Sequence, residues 1–213
     1  MFAPEQIQAR LADAYAAGRL DAAMRLLVET QAAMRPARDL ALAEAIAGEA
    51  LERETPAALS PDALLQTLAK IDARNLPPPR RRPYADEVAN LPEPLRAAAL
   101  EALQEHGWTF GGPGVRILPL GLKDSALAEL IRIEPGYGVP NHTHDAGEYT
   151  LVLTGAFHDE RGLYKPGDIS FADPSVTHTP TAEQGDICWN LAVSEAPLKL
   201  TGALGVMQRM LPN

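Results

Sequence analysis

The sequence predicts an α+β protein of two parts, a helical N-terminal unit followed by an all-β unit. Three observations predict it. Up to about residue 73 the chain is rich in Ala, Leu, Met, Glu, Gln and Arg, and its apolar residues recur at helical spacing. The stretch Asn75 to Pro83 reads NLPPPRRRP, a linker that proline stiffens and arginine keeps solvated. From Trp108 onward Gly, Pro, Thr and Val rise, and period-2 segments appear between turn signals. The expected boundaries are a helical domain at 1–73, a linker at 74–91 and a β domain at 92–213.

The helices come first. Ile7, Leu11, Ala14 and Tyr15 share one helical face, and Gly18 stops that helix. Asp21 starts a second, in which Met24, Leu27 and Val28 repeat the spacing. Pro36 marks a break. A third helix runs through Leu40, Ala43, Ile46, Ala47 and Ala50 and ends at Thr55-Pro56. Ser60-Pro61 opens a fourth, with Leu64, Leu65, Leu68 and Ile71 on its apolar face. After the linker, 94–106 reads as one short helix. Strands are expected at 115–118, 125–133, 142–144, 148–154, 156–158, 168–171, 187–194 and 204–207. Many short strands with Gly and Pro turns argue for a barrel or sandwich.

Charge and cysteine content narrow the function. The net charge is −9, with 11 basic against 13 acidic residues in 1–91 and 8 against 15 in 92–213. An acidic chain repels phosphate backbones, so direct nucleic-acid binding is not expected, and Arg80 to Arg82 read as a solvated linker. The apolar runs are too short to span a bilayer, which needs roughly 20 residues. The N-terminus lacks a basic region followed by an apolar stretch, so no signal peptide is expected and the cytoplasm is the expected location. The single cysteine, Cys188, excludes an internal disulfide and a Cys-rich zinc site. Its neighbours give it the composition of a core residue.

Four of the five histidines fall between 142 and 178. Residues two apart on a strand face the same way, so His142 and His144 aim together, and Glu148 has the same parity. His178, after a turn-rich stretch, supplies a third imidazole from another strand. Three neutral nitrogens and one carboxylate suit zinc, ferrous iron, manganese or nickel. His158 reads as a surface residue, and His106 as a helix end favoured by the dipole.

The spacing G-x5-H-x-H-x3-E-x6-G, met at Gly136, His142, His144, Glu148 and Gly155, resembles the first motif of the cupins. Gly167, Pro174 and His178 resemble the second, although its Pro-to-His gap is one residue shorter than usual, Val176 stands where glycine is expected and no Asn follows His178 at the usual distance. The resemblance implies a double-stranded β-helix barrel with a divalent metal on His142, His144, Glu148 and His178.

The order of helical unit, linker and single cupin resembles the ChrR-type anti-sigma factors. LADAYAAGRL at 11–20, LLVET at 26–30 and LPEPL at 91–95 look like that family's opening helices and the lead-in to its cupin. The resemblance implies binding of an extracytoplasmic-function sigma factor by the helices, and stress sensing through a cupin that holds zinc. It also implies a second zinc at a His-x3-Cys-x2-Cys pattern. Here those positions read Gln31, Arg35 and Arg38, none a zinc ligand, so one metal per chain is expected. Two other readings compete. One is a metal-dependent dioxygenase or isomerase, for which Tyr149 and Glu183 are the acid–base candidates. The other is a non-catalytic ligand-binding cupin whose helices form a homodimer.

Overall fold

The structure is a computed structural model that describes residues 4–35, 48, 58, 60–72, 83–123, 125–196 and 198–201. The helices are α1 (Pro4–Ala16), α2 (Ala22–Met34), α3 (Ala63–Asp72), α4 (Ala85–Val88) and α5 (Leu95–Glu105). The strands are β1 (Thr109–Gly112), β2 (Val115–Pro119), β3 (Leu127–Ile133), β4 (His142–His144), β5 (Glu148–Thr154), β6 (Phe157–Asp159), β7 (Gly162–Tyr164), β8 (Ile169–Ala172), β9 (Thr177–His178), β10 (Thr181–Ala182), β11 (Cys188–Ser194) and β12 (Leu198–Leu200). The expected third helix apart from Gly48, the expected strand at 204–207 and Arg80 to Arg82 lie outside the described residues. Among the described residues no helix is long and apolar enough to cross a membrane.

Antiparallel pairing builds one six-stranded sheet, in the order β1-β2-β3-β11-β5-β8. Two three-stranded sheets complete the β unit, β10-β6-β7 and β12-β4-β9. The ladders stay separate rather than closing into the single barrel expected from the sequence. The strands of the small sheets are only two or three residues long, and turns intervene between them. Among the described residues, five of the twelve strands (β1, β7, β9, β10 and β12) were not expected, because two to four residues give too short an alternation to read.

Both faces of the large sheet are buried. Every residue of β11 is buried. Val115, Ile133, Val152, Phe157, Ala182 and Cys188 form an inner cluster. The opposite face carries Leu118, Leu130, Leu151, Leu191 and Val193, which join Leu11, Leu26 and Leu27 of the first two helices and Leu95, Ala99 and Leu103 of α5 in one core. A continuous apolar strand such as β11 follows from cover on both sides. Each fully buried leucine of this core contributes about 1.5–3 kcal/mol.

Polar contacts fix α2 on the sheet. Asp21 is its N-cap: Oδ1 accepts from Met24 N at 2.8 Å and Oδ2 accepts from Ala126 N at 3.0 Å. Ala23 N donates to Ser125 Oγ at 2.9 Å. At the other end Gln31 Nε2 donates to Gly167 O at 2.9 Å, and Arg35 pairs with Asp168 at 3.1 Å. The end of the expected linker is also structured. Val88 and Leu91 are buried in the same core, and Glu87 pairs at 3.1 Å with Arg132, whose guanidinium lies over the Tyr84 ring. Those apolar side chains pull residues 84–91 onto the sheet.

Candidate metal centre

The site is made where β4, β5 and β9 meet. On β4, His142 and His144 point to one side and are buried, while Thr143 between them is half-buried. The turn at 145–147 returns the chain to β5, which begins with Glu148. Strand β9 pairs antiparallel with β4 and sets His178 directly opposite His142. His178 Nε2 lies 3.0 Å from His142 Nε2 and 3.1 Å from His144 Nε2. One ligand atom from each of His142, His144, Glu148 and His178 lies within 4.8 Å of all the others.

Burial sets the electrostatics. It pushes the pKa of His142 and of His144 down to about 4, so both imidazoles are neutral at physiological pH and have lone pairs free. Burial also raises the pKa of the Glu148 carboxyl. Pro140 O accepts from His142 Nδ1 at 2.8 Å, which fixes that proton and turns Nε2 inward as an acceptor. Thr150 Oγ1 donates to Glu148 Oε1 at 3.1 Å. Among the described residues His144 Nδ1 is buried without a hydrogen-bond partner, and Glu148 Oε2 is 3.7 Å from it. Three imidazoles and a carboxylate, converging from three strands, fit a divalent ion of borderline hardness.

The remaining sequence candidates lie elsewhere. His158 is half exposed and bonds Glu183 at 2.6 Å, so neither reaches the cluster. Tyr149 faces the helix side of the sheet, with its ring 4.7 Å from that of Phe171. His106 caps the end of α5. Cys188 has no exposed surface, and burial raises its pKa to about 11. Gln31 and Arg35, two of the positions where the resemblance implies zinc ligands, hold Gly167 and Asp168 instead. Arg38 lies outside the described residues.

Several residues around the site escaped the sequence reading. Asp159 Oδ2 lies 3.0 Å from His178 Nδ1, and its side chain is fully buried. Burial acts to raise the Asp159 pKa, but hydrogen bonds from His178 and Arg161 outweigh it and hold the carboxyl well below the usual range. Arg161 is bonded to Asp159, Ser170 and the Phe171 carbonyl. Asn190 lines the cavity beside the cluster, where its amide meets the Cys188 thiol. Glu129, on the inward-facing parity of β3, has its pKa raised by burial. Asp159 was legible only as a buried-parity neighbour of His158 on a short strand, and its role depends on a partner 19 residues away.

Comparison with known proteins extends beyond the motif. A family model for the ChrR cupin-like domain matches residues 97–196. The anti-sigma-E factor ChrR of Cereibacter sphaeroides is 41% identical over 200 residues, covering 91% of both chains. A chain of the crystal structure of Rhodobacter sphaeroides SigE in complex with the anti-sigma ChrR superposes with a TM-score of 0.65 at 35% identity, covering 87% of this chain and 96% of that one. A halomonad KdgF structure is similar over only 44% of the chain, at 23% identity and a TM-score of 0.39. With two-fifths of its residues shared along nearly its whole length, helices included, the chain belongs to the ChrR family.

Proposed function

We propose that this protein is an anti-sigma factor that binds a sigma factor of the extracytoplasmic-function class through its helices and senses stress through a metal held in its cupin unit. One observation carries the reading: the likeness to an anti-sigma factor runs through the helical part as well as the β part. The apolar face of α1 and α2 is already buried against the sheet. On α3, by contrast, Leu64, Leu65 and Leu68 are 70%, 67% and 47% exposed. A row of exposed leucines on an amphipathic helix suits insertion into a partner's apolar groove. Sigma factors act on RNA polymerase, so this role belongs in the cytoplasm.

His142, His144, Glu148 and His178 would hold one divalent ion, zinc first. Such an ion would cross-link β4, β5 and β9 and link folding of the site to metal supply. The cavity beside the four residues is only about 40 Å³. That is room for a few waters, not for a diketone or sugar substrate, which favours sensing over dioxygenase chemistry.

Co-expression with candidate sigma factors tests the reading. The parent protein is expected to co-purify with one of them and to contain one equivalent of metal. Leu64→Ser/Leu65→Ser/Leu68→Ser should lose the partner while keeping the parent's melting temperature within a few degrees. His142→Ala/His144→Ala should lose the metal and still bind the partner. Failure of the parent to retain any sigma factor would end the anti-sigma reading, and full binding by the triple variant would move the surface away from α3.

A further inference from the structure

A cavity of about 450 Å³ lies between the first two helices and the large sheet. Its volume falls within the range of small-ligand sites, roughly 300–1,000 Å³. It is separate from the metal centre. Glu148 and Tyr149 are consecutive on β5, so they face opposite sides of the sheet. Tyr149 packs with the helices, whereas Glu148 joins the histidines.

The walls are mostly apolar. Ile7 and Leu11 of α1, Met24 of α2, and Phe171 and Val193 of the sheet line the space. One wall is aromatic, because the Tyr149 and Phe171 rings lie 4.7 Å apart. Gly147 stands beside them. A Cβ added there would come within 3.1 Å of Phe171 Cε2, so a larger residue would press on that ring.

Polar groups of both signs share the lining, namely Arg10, Arg19, Glu195 and the Tyr149 hydroxyl. Asp21 also reaches it, but both of its carboxylate oxygens are taken by the amides of Met24 and Ala126. The Tyr149 hydroxyl makes no hydrogen bond to any described residue. Burial raises the Tyr149 pKa, Glu195 adds to the rise and Arg10 opposes it, so the ring lies within electrostatic reach of both charges. A lone carboxylate in this cavity would be repelled by Glu195, and a lone ammonium by the two arginines. A head group that carries both signs meets neither penalty.

We propose that this cavity binds a free α-amino acid with a large apolar or aromatic side chain. The side chain lies against Leu11, Met24, Val193 and Phe171. The carboxylate accepts from the Tyr149 hydroxyl and faces the arginines, and the ammonium faces Glu195. Because α1, α2, β5, β8 and β11 all contribute to the lining, such a ligand holds the helices on the sheet and stabilises the fold by linkage. The proposal does not depend on the metal reading.

Isothermal titration calorimetry of the full chain with three compounds tests it. L-Phenylalanine, 3-phenylpropionate and phenethylamine share one ring and differ in the head group. L-Phenylalanine should bind at one equivalent, roughly 10-fold tighter than either of the others, the worth of one hydrogen bond to a charged group. It should also raise the melting temperature. Tyr149→Phe keeps the ring packing and should weaken L-phenylalanine roughly 10-fold. Glu195→Gln should weaken L-phenylalanine and strengthen 3-phenylpropionate, a reversal that a merely destabilised fold would not produce. Absence of saturable L-phenylalanine binding to the parent would overturn the site. Equal affinity for the three compounds would overturn the ligand class. Parent-like binding of L-phenylalanine by both variants would show that it sits elsewhere.

Discussion

Cys188 has lost its chemistry to its surroundings. It lies in the inner cluster with Val115, Ile133, Val152 and Phe157, and its closest polar contact is the Asn190 amide at 3.4 Å. Burial raises its pKa from 9.0 to about 11, which cuts the thiolate at pH 8 roughly 100-fold. Native protein is therefore expected to react with a disulfide reagent far more slowly than urea-unfolded protein, and equal rates would contradict the burial. The sign of the pH dependence follows. A thiol whose folded pKa lies above its unfolded value keeps its proton longer in the folded state. Its contribution to stability is fully present below pH 9 and is lost as the pH rises toward 11. The core role of Cys188 was readable from its apolar neighbours. The partners of His178 were not, because Asp159 and Arg161 reach it across a turn and a sheet pairing that no local spacing encodes.

At the scale of elements, α2 shows how a local signal gains a second function. The sequence placed its start at Asp21 from capping chemistry alone, and Oδ1 makes that cap. The other carboxylate oxygen accepts from Ala126 N, just before β3, so one side chain both starts the helix and seats it. Asp21→Ala is expected to cost roughly 1–2 kcal/mol, as loss of a helix cap does. Asp21→Asn keeps an oxygen for the cap but replaces the second acceptor with an amide donor. It should recover most of the helix while loosening its seat on the sheet. Urea melts of both variants check this, and an unchanged midpoint for Asp21→Ala would refute the double role. The far end of α2 makes the same point with opposite legibility. Gln31 and Arg35 looked like mere absences of zinc ligands, whereas in the fold they grip Gly167 and Asp168.

For the whole molecule, the question is whether helices and sheet stand or fall together. Leu27 of α2 has no exposed surface and belongs to the same core as Leu151 and Leu191 of the large sheet. Leu27→Ala is expected to cost about 2–5 kcal/mol, the range for truncating a buried leucine. Because that core is continuous, helical circular dichroism and the fluorescence of Trp108 and Trp189, whose rings lie 5.5 Å apart, should shift to lower temperature by the same amount. Trp189 lies on β11, so a fluorescence midpoint left in place would mean that α2 melts independently of the sheet.

The sequence named all four clustered candidate ligands, and the helix it opened at Ser60 begins at Ala63. By itself it determined the α+β class, the helix start at Asp21, the longer strands, and the shared face of His142, His144 and Glu148. Each of these rests on chemistry within a few residues, either a cap, a period or an H-x-H spacing. The tertiary structure decided that His178 sits opposite His142, that Asp159 and Arg161 lie beside its outer nitrogen, and that α1 and α2 cover the sheet rather than standing apart. These depend on pairing register and on which apolar faces find each other across long loops. Short strands of two to four residues carry too little pattern to announce that in advance.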